Sequence, residues 1–168
     1  MSRFKILALI ALFTFALGLV LVGDALAGEK MKVRHSYYAV KFEPVMFGDE
    51  EGHMLAIYEG KGLTTNLQGK KFLDGWWVRE CGLNDIKGKA LDTYSVHGYS
   101  EFTDGDGDKI YTAWEGKKMA DEAGKGTTTL IKGTGKWQGI QGRGTWISSP
   151  FVDGRWYADH QLDVELPR

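Results

Sequence analysis

The end of the chain alternates without a fault. From Trp156 onward, Trp156, Ala158, His160, Leu162, Val164 and Leu166 fall on one side, and Tyr157, Asp159, Gln161, Asp163 and Glu165 on the other. A period of two residues is that of a β-strand, whose successive side chains point to opposite faces. One face here is nearly all core and the other nearly all solvent, so the strand must be covered on one side only. The remaining chain offers more strands for that purpose. Segments 33–42, 53–60, 76–81, 89–102, 109–115, 126–132 and 142–148 are rich in Val, Ile, Thr, Tyr and Trp and lie between Gly-rich breaks. With 23 Gly, only 3 Pro and 12% aromatic residues, the composition is that of short strands joined by tight turns. A hydrophobic fraction of 43% excludes a disordered chain.

No Pro/Ser linker or charge run divides residues 28–168, which read as one domain. About eight antiparallel strands in this length predict an all-β fold. An eight-stranded antiparallel β-barrel is preferred to a two-sheet sandwich, because closure removes the exposed sheet edges. The interior of such a barrel is either filled by side chains or holds one small ligand.

Residues 1–27 have a different character. Arg3 and Lys5 precede an uncharged apolar stretch, 6–22, and small residues stand at Ala25 and Ala27. That is the anatomy of a signal peptide with an A-x-A cleavage site, which predicts cleavage after Ala27 and a periplasmic or secreted barrel domain over 28–168. The alternative is an uncleaved anchor, since 17 apolar residues approach the ~20 of a spanning helix. Export permits disulfides, yet Cys81 is the single cysteine, so it is a buried small hydrophobe, a reactive thiol or a link between two chains. A net charge of −1 without a basic block excludes the electrostatic footprint of a nucleic-acid binder.

Few motifs carry chemistry. Asp104, Asp106, Asp108 and Glu115 have the spacing of a calcium loop, but Lys109 stands where the sharp turn requires Gly, and the residues after it form a strand-like run. A polar Asp-Gly hairpin turn is the expectation, with weak cation binding by the three Asp left open. The run 133–144 is glycine-rich like a phosphate loop, but the segment after it is strand-like and not helical. Its glycines instead permit a tight bend where Trp137 and Ile140 fold over one end of a barrel. His35, His53, His97 and His160 show no short metal-ligand spacing, and no metal or other cofactor is expected. His160, on the apolar face of the last strand, needs a partner or borders a cavity. Trp114 and Trp156 share the inward parity and would pack the core or wall a pocket. Glu80 and Cys81 are adjacent and face opposite sides of their strand.

Gly133-Thr134-Gly135-Lys136-Trp137, with Gly139 and Gly142 beyond it, resembles the Gly-Thr-Gly-x-aromatic turn of the allene oxide cyclase and dirigent barrel superfamily. With Asp106-Gly107-Asp108-Lys109 and Trp114 upstream, the chain looks most like the exported bacterial members. The resemblance spans roughly 89–146. It implies an eight-stranded barrel with a central cavity, cofactor-free chemistry on unsaturated small molecules, and a homo-oligomer formed through the outer faces. Lys132 stands where plant members often have Gly, and Trp137 where Phe is usual. No catalytic residue is carried over.

The sequence thus predicts a barrel that binds a small apolar ligand in its lumen, with Trp114, Trp156 and His160 as its contacts and no membrane contact once the leader is removed. The alternatives are a cyclase or isomerase that folds an unsaturated substrate by shape, with His160 or Glu80 as polar anchor, and a structural module with a filled core. The intact mass of the protein recovered from an exported fraction is expected to begin at Gly28; a mass that includes Met1 would establish an anchor instead.

Overall fold

The computed structural model describes residues 28–88 and 93–167. The signal-peptide expectation for 1–27 lies outside the described residues. Eight strands succeed one another in the order β1 (Glu29–Met46), β2 (Met54–Asn66), β3 (Trp77–Lys87), β4 (Thr93–Thr103), β5 (Lys109–Lys118), β6 (Lys125–Gly133), β7 (Gln141–Ser148) and β8 (Arg155–Glu165). Each pairs antiparallel with its neighbour in sequence, and β8 returns to β1, closing the barrel. The expected fold class is therefore the observed one. No helix among the described residues is long and apolar enough to cross a membrane.

Several strand limits differ from those read in the sequence. β2 does not stop at Gly60 but continues through Gly62 to Asn66, because Gly60 lies beneath the Trp156 ring and Gly62 against the β1 backbone at Ser36 instead of turning the chain. His53 belongs to the loop before β2, where it is tied to Asp49 and Asp85. The segment expected from residue 89 begins as β4 at Thr93, and 89–92 lie outside the described residues. β1 carries a bulge between Ala39 and Lys41. Beyond Tyr38 it pairs with β2 alone, so its end projects past the seam with β8. Val45 and Met46 on this overhang are 63% and 64% exposed. Pro44 and the charged pair Lys41–Glu43 lie along it and blunt it as a template for foreign strands.

Alternation sorts every strand into a wall and a lumen. Met31, Val33, His35 and Tyr37 of β1 point inward and are buried, as do Ala158, His160, Leu162 and Val164 of β8. The seam between these strands is fastened outside by Arg34, whose guanidinium donates to both carboxylate oxygens of Asp159 (2.7 and 2.8 Å) and lies 4.1 Å over the Tyr157 ring.

One end of the barrel is plugged. Phe72 and Trp76 from the β2–β3 loop and Trp137 from the β6–β7 connection meet with ring centroids 5.1–5.4 Å apart, and Leu73 and Ile140 are buried beside them. The expected folding of Trp137 and Ile140 over one end is what the chain does. Asp104, in the β4–β5 turn, holds the plug in place. Its carboxylate accepts from the backbone N–H of Asp106 and Asp108 (2.9 and 3.0 Å), from Trp137 Nε1 (2.8 Å) and from Lys136 Nζ (2.8 Å). Burial raises its pKa, but the Lys136, Trp137 and backbone bonds outweigh that and lower it to about 2. The Lys136 ammonium also pairs with Asp106, and the Lys136 backbone N–H donates to Asp108 (3.1 Å). Asp104→Ala is expected to lower the unfolding free energy by about 1–2 kcal/mol, since a half-buried indole N–H and two backbone N–H groups lose their acceptor; a urea titration that gives wild-type stability would show the plug to be independent of Asp104.

Candidate functional site

At the opposite end the inward rings are not sealed. Tyr58, Tyr94 and Trp156 are half-buried, while Trp114 and Trp146 behind them are buried. The rings lie flat because the wall beneath them is glycine. A Cβ on Gly82 would stand 2.5 Å from Trp114 and 2.7 Å from Tyr58, and one on Gly116 or Gly126 would run into Trp146. Strands with no side chain at these points leave a slot one aromatic ring thick.

Between this aromatic layer and the plug lies a carboxyl group. Glu80 faces inward from β3 and is 7% exposed. Tyr58 donates its hydroxyl to Glu80 Oε1 (3.1 Å), and the polar groups of Tyr37, Ser100 and Trp156 also face the carboxyl and favour its ionised form. Ser100 in turn accepts from Trp114 Nε1 (2.9 Å). Tyr37 stacks on Trp156 with centroids 5.0 Å apart, and Tyr58 meets Trp156 edge-on at 6.0 Å. Four strands, β1, β2, β4 and β8, thus converge on one acid from β3. Burial pushes the Glu80 pKa up, and the polar groups of Tyr37, Tyr58, Ser100 and Trp156, which favour the ionised form, hold it to about 7. Burial first, and then the Glu80 charge, raise Tyr37 and Tyr58 well above the usual phenol value, so both remain hydroxyls. The arrangement can donate, accept or exchange a proton near neutrality in apolar surroundings.

One level closer to the plug lies a pair of histidines. His35 and His160 stack with centroids 3.9 Å apart, with Phe102 against His35 at 4.9 Å. Desolvation depresses both pKa values, His35 well below the usual value with help from His160, and His160 to about 4 despite the Asp159 charge. Both rings are neutral at pH 7.

All three residues singled out in the sequence face the lumen. Trp114 and Trp156 belong to the half-open aromatic layer, and His160 to the deeper level. Glu80, weighed only as an alternative anchor, is the centre of the polar cluster, and Cys81 faces away from it, half-buried. Tyr37, Tyr58, Ser100 and His35 escape sequence reasoning. Their signal is faint but present: Val33, His35 and Tyr37 share one parity, as do Val78 and Glu80, which puts polar groups on faces otherwise apolar. The structure also gathers Asp49, Glu50 and His53, whose donor atoms lie within 4.8 Å of one another. Both ring nitrogens of His53 are already taken, by Asp49 (2.5 Å) and Asp85 (3.0 Å), and the Asp49 bond leads in raising its pKa. This imidazole clasps the β1–β2 loop to β3.

These features define the class: a closed eight-stranded antiparallel barrel with a polar cluster inside it. Among solved structures, the chain is similar to a pterocarpan synthase dirigent protein, GePTS1, with a TM-score of 0.51 at 10% sequence identity, covering 84% of this chain and 91% of that one. The fold is thus a dirigent-like barrel, in line with the resemblance read from the glycine-rich turn. No protein-family model matches the sequence, and no curated protein matches it.

The Glu80 pKa carries a signed consequence for stability. A carboxyl group whose folded pKa lies above its unfolded value keeps its proton longer in the folded state. Stability therefore falls as pH rises from about 4.5 to about 7 and stays reduced above that. A shift of this size corresponds to roughly 3 kcal/mol. Glu80→Gln is expected to remove that decline, so that urea midpoints at pH 5 and pH 8 draw together; wild type and variant declining in parallel would place the titration elsewhere.

Proposed function

We propose that the protein binds a small, largely apolar molecule in its lumen, entering at the half-open end and oriented by Glu80. The observation that carries this reading is the Glu80 cluster itself. A carboxyl group buried among two tyrosines, a serine and two tryptophans costs folding free energy. A fold that needed only a packed core would be better served there by an apolar side chain of similar volume. The half-buried Tyr58, Tyr94 and Trp156 supply flat apolar walls, and Glu80 supplies one point of polar recognition, the combination that small-molecule sites use. The likeness to a dirigent protein is compatible with this reading through its fold alone. Export to the periplasm or medium belongs to the same proposal and rests on the pattern of residues 1–27.

Two observations favour other readings. Glu80 titrating near pH 7 suits proton transfer, so a cyclase or isomerase acting on an unsaturated guest is the second reading, with Glu80 as acid or base. Trp114 and Leu162 are buried, and two surface depressions of about 560 and 860 Å³ lie outside the lumen, over the outer wall of β6–β7–β8–β1 and beside the β6–β7 connection. Both facts favour a filled structural core. Native mass spectrometry of the protein purified from cells separates these readings. A co-purifying small molecule retained by wild type and lost, or bound at least tenfold more weakly, in Glu80→Gln is expected. A bare chain that also fails to change its tryptophan fluorescence with added methylcyclohexane or cyclohexanone would establish the filled core.

A further inference from the structure

The two buried histidines are incompletely satisfied. His35 Nε2 and His160 Nδ1 have no hydrogen-bond partner, although the residues are only 3% and 7% exposed. Buried polar nitrogens are nearly always paired, and an orphan calls for an unseen water or guest. Two orphans on rings stacked 3.9 Å apart, one level below Glu80, form a patch of polarity on an apolar floor made by Phe102, Val33 and Leu162. The levels are two residues apart along β1, roughly 7 Å.

We propose that His35 and His160 form a second polar subsite, taking a carbonyl or hydroxyl oxygen of the lumenal guest, and that Tyr37 links this subsite to Glu80. The proposal rests on the reading of the lumen as a binding site and names the guest more closely: an apolar molecule with two separated oxygen functions. The link comes from hydrogen-bond bookkeeping. The Tyr37 hydroxyl lies 3.3 Å from His35 Nδ1 and faces the Glu80 carboxylate, whose ionised form it favours. A neutral imidazole has one N–H and one bare nitrogen. When Glu80 is ionised it only accepts, so Tyr37 turns its O–H to Glu80 and His35 Nδ1 carries the proton, donating to the Tyr37 oxygen. Nε2 is then bare and accepts from a hydroxyl. When Glu80 gains a proton, it donates to the Tyr37 oxygen, Tyr37 donates to Nδ1, and the imidazole proton moves from Nδ1 to Nε2, which now donates to a carbonyl. One proton is taken up at Glu80 and one changes nitrogen within His35.

The groups that face this relay are few. Glu80 is met by Tyr37 from β1, Tyr58 from β2, Ser100 and the more distant Tyr94 from β4, and Trp156 from β8. His35 is met by Tyr37, by Phe102 from β4 and by His160 from β8, which itself feels Asp159. The tyrosines and histidines keep one charge state around neutrality, so Glu80 is the group here that titrates, at about 7.

Nitrogen-15 spectra of the full-length, histidine-labelled chain test both parts. Without any guest, His35 Nε2 is expected to change from protonated to bare as pH rises from 5 to 9, with one midpoint shared with Glu80. Tyr37→Phe should hold one tautomer throughout, and Glu80→Gln offers the same test if that variant folds poorly. A His35 tautomer that ignores pH in wild type would overturn the link. Cyclohexanone, added below the midpoint, is expected to shift the His35 and His160 imidazole signals, and methylcyclohexane to shift the tryptophan emission without moving them. A changed tryptophan emission with both probes and unmoved imidazole signals would overturn the subsite while leaving the lumen a binding site. An unchanged emission with both probes would overturn the reading of the lumen, and the subsite with it.

Discussion

Everything inside this molecule depends on the pairing of β1 with β8. Ten residue pairs, from Glu29–Val164 to Tyr38–Arg155, turn a meander of hairpins into a closed wall. Closure makes an inside, and alternation then assigns each side chain to it or to solvent. His35 and His160, on the two strands of the seam, stack only because that seam is in register. A slip of β8 by one residue would turn His160, Leu162 and Val164 toward water and leave His35 without its stacking partner. The Arg34–Asp159 fork, fixed to neighbouring pairs on the outside, marks the register the chain uses.

The two ends of the barrel solve different problems. At the plugged end a buried carboxylate, Asp104, is surrounded by donors and by a lysine ammonium, so its charge is compensated and it serves packing. In the lumen a second carboxyl group, Glu80, receives hydroxyl and indole donors but no cation, so burial outweighs the donors and the group titrates near neutrality. The same side-chain chemistry is thereby a strut at one end and a group that titrates near neutrality in the middle. What separates them is one ammonium.

The sequence makes some of this legible and hides the rest for physical reasons. β8 can be read with its faces because one side is apolar and the other charged, and the turn at 104–108 because Asp-Gly steps favour positive φ, as Gly107 shows. The plug can be foreseen from Trp137 and Ile140 among glycines. The Glu80 cluster cannot, since its members come from five strands and only register brings them together. β2 reads too short because Gly60 and Gly62 look like breaks when their real role is to clear space for close neighbours. His53 reads as part of a strand because its partners Asp49 and Asp85 lie in different elements. The overhang of β1 depends on where β8 begins, a property of the far end of the chain.

The connectivity of the wall has a bearing on how the chain reaches its native state. Seven of the eight strand pairings join consecutive segments through turns, and one joins segments about 125 residues apart, as the Arg34–Asp159 separation records. Barrels built from distant partners must close many large loops before contacts reward them. Here each hairpin brings the next strand within reach, and the intervening seven hairpins carry β8 round to β1. The entropy of ordering the chain is spent locally and in steps, and a closed β-structure is assembled with the connectivity of a simple ribbon.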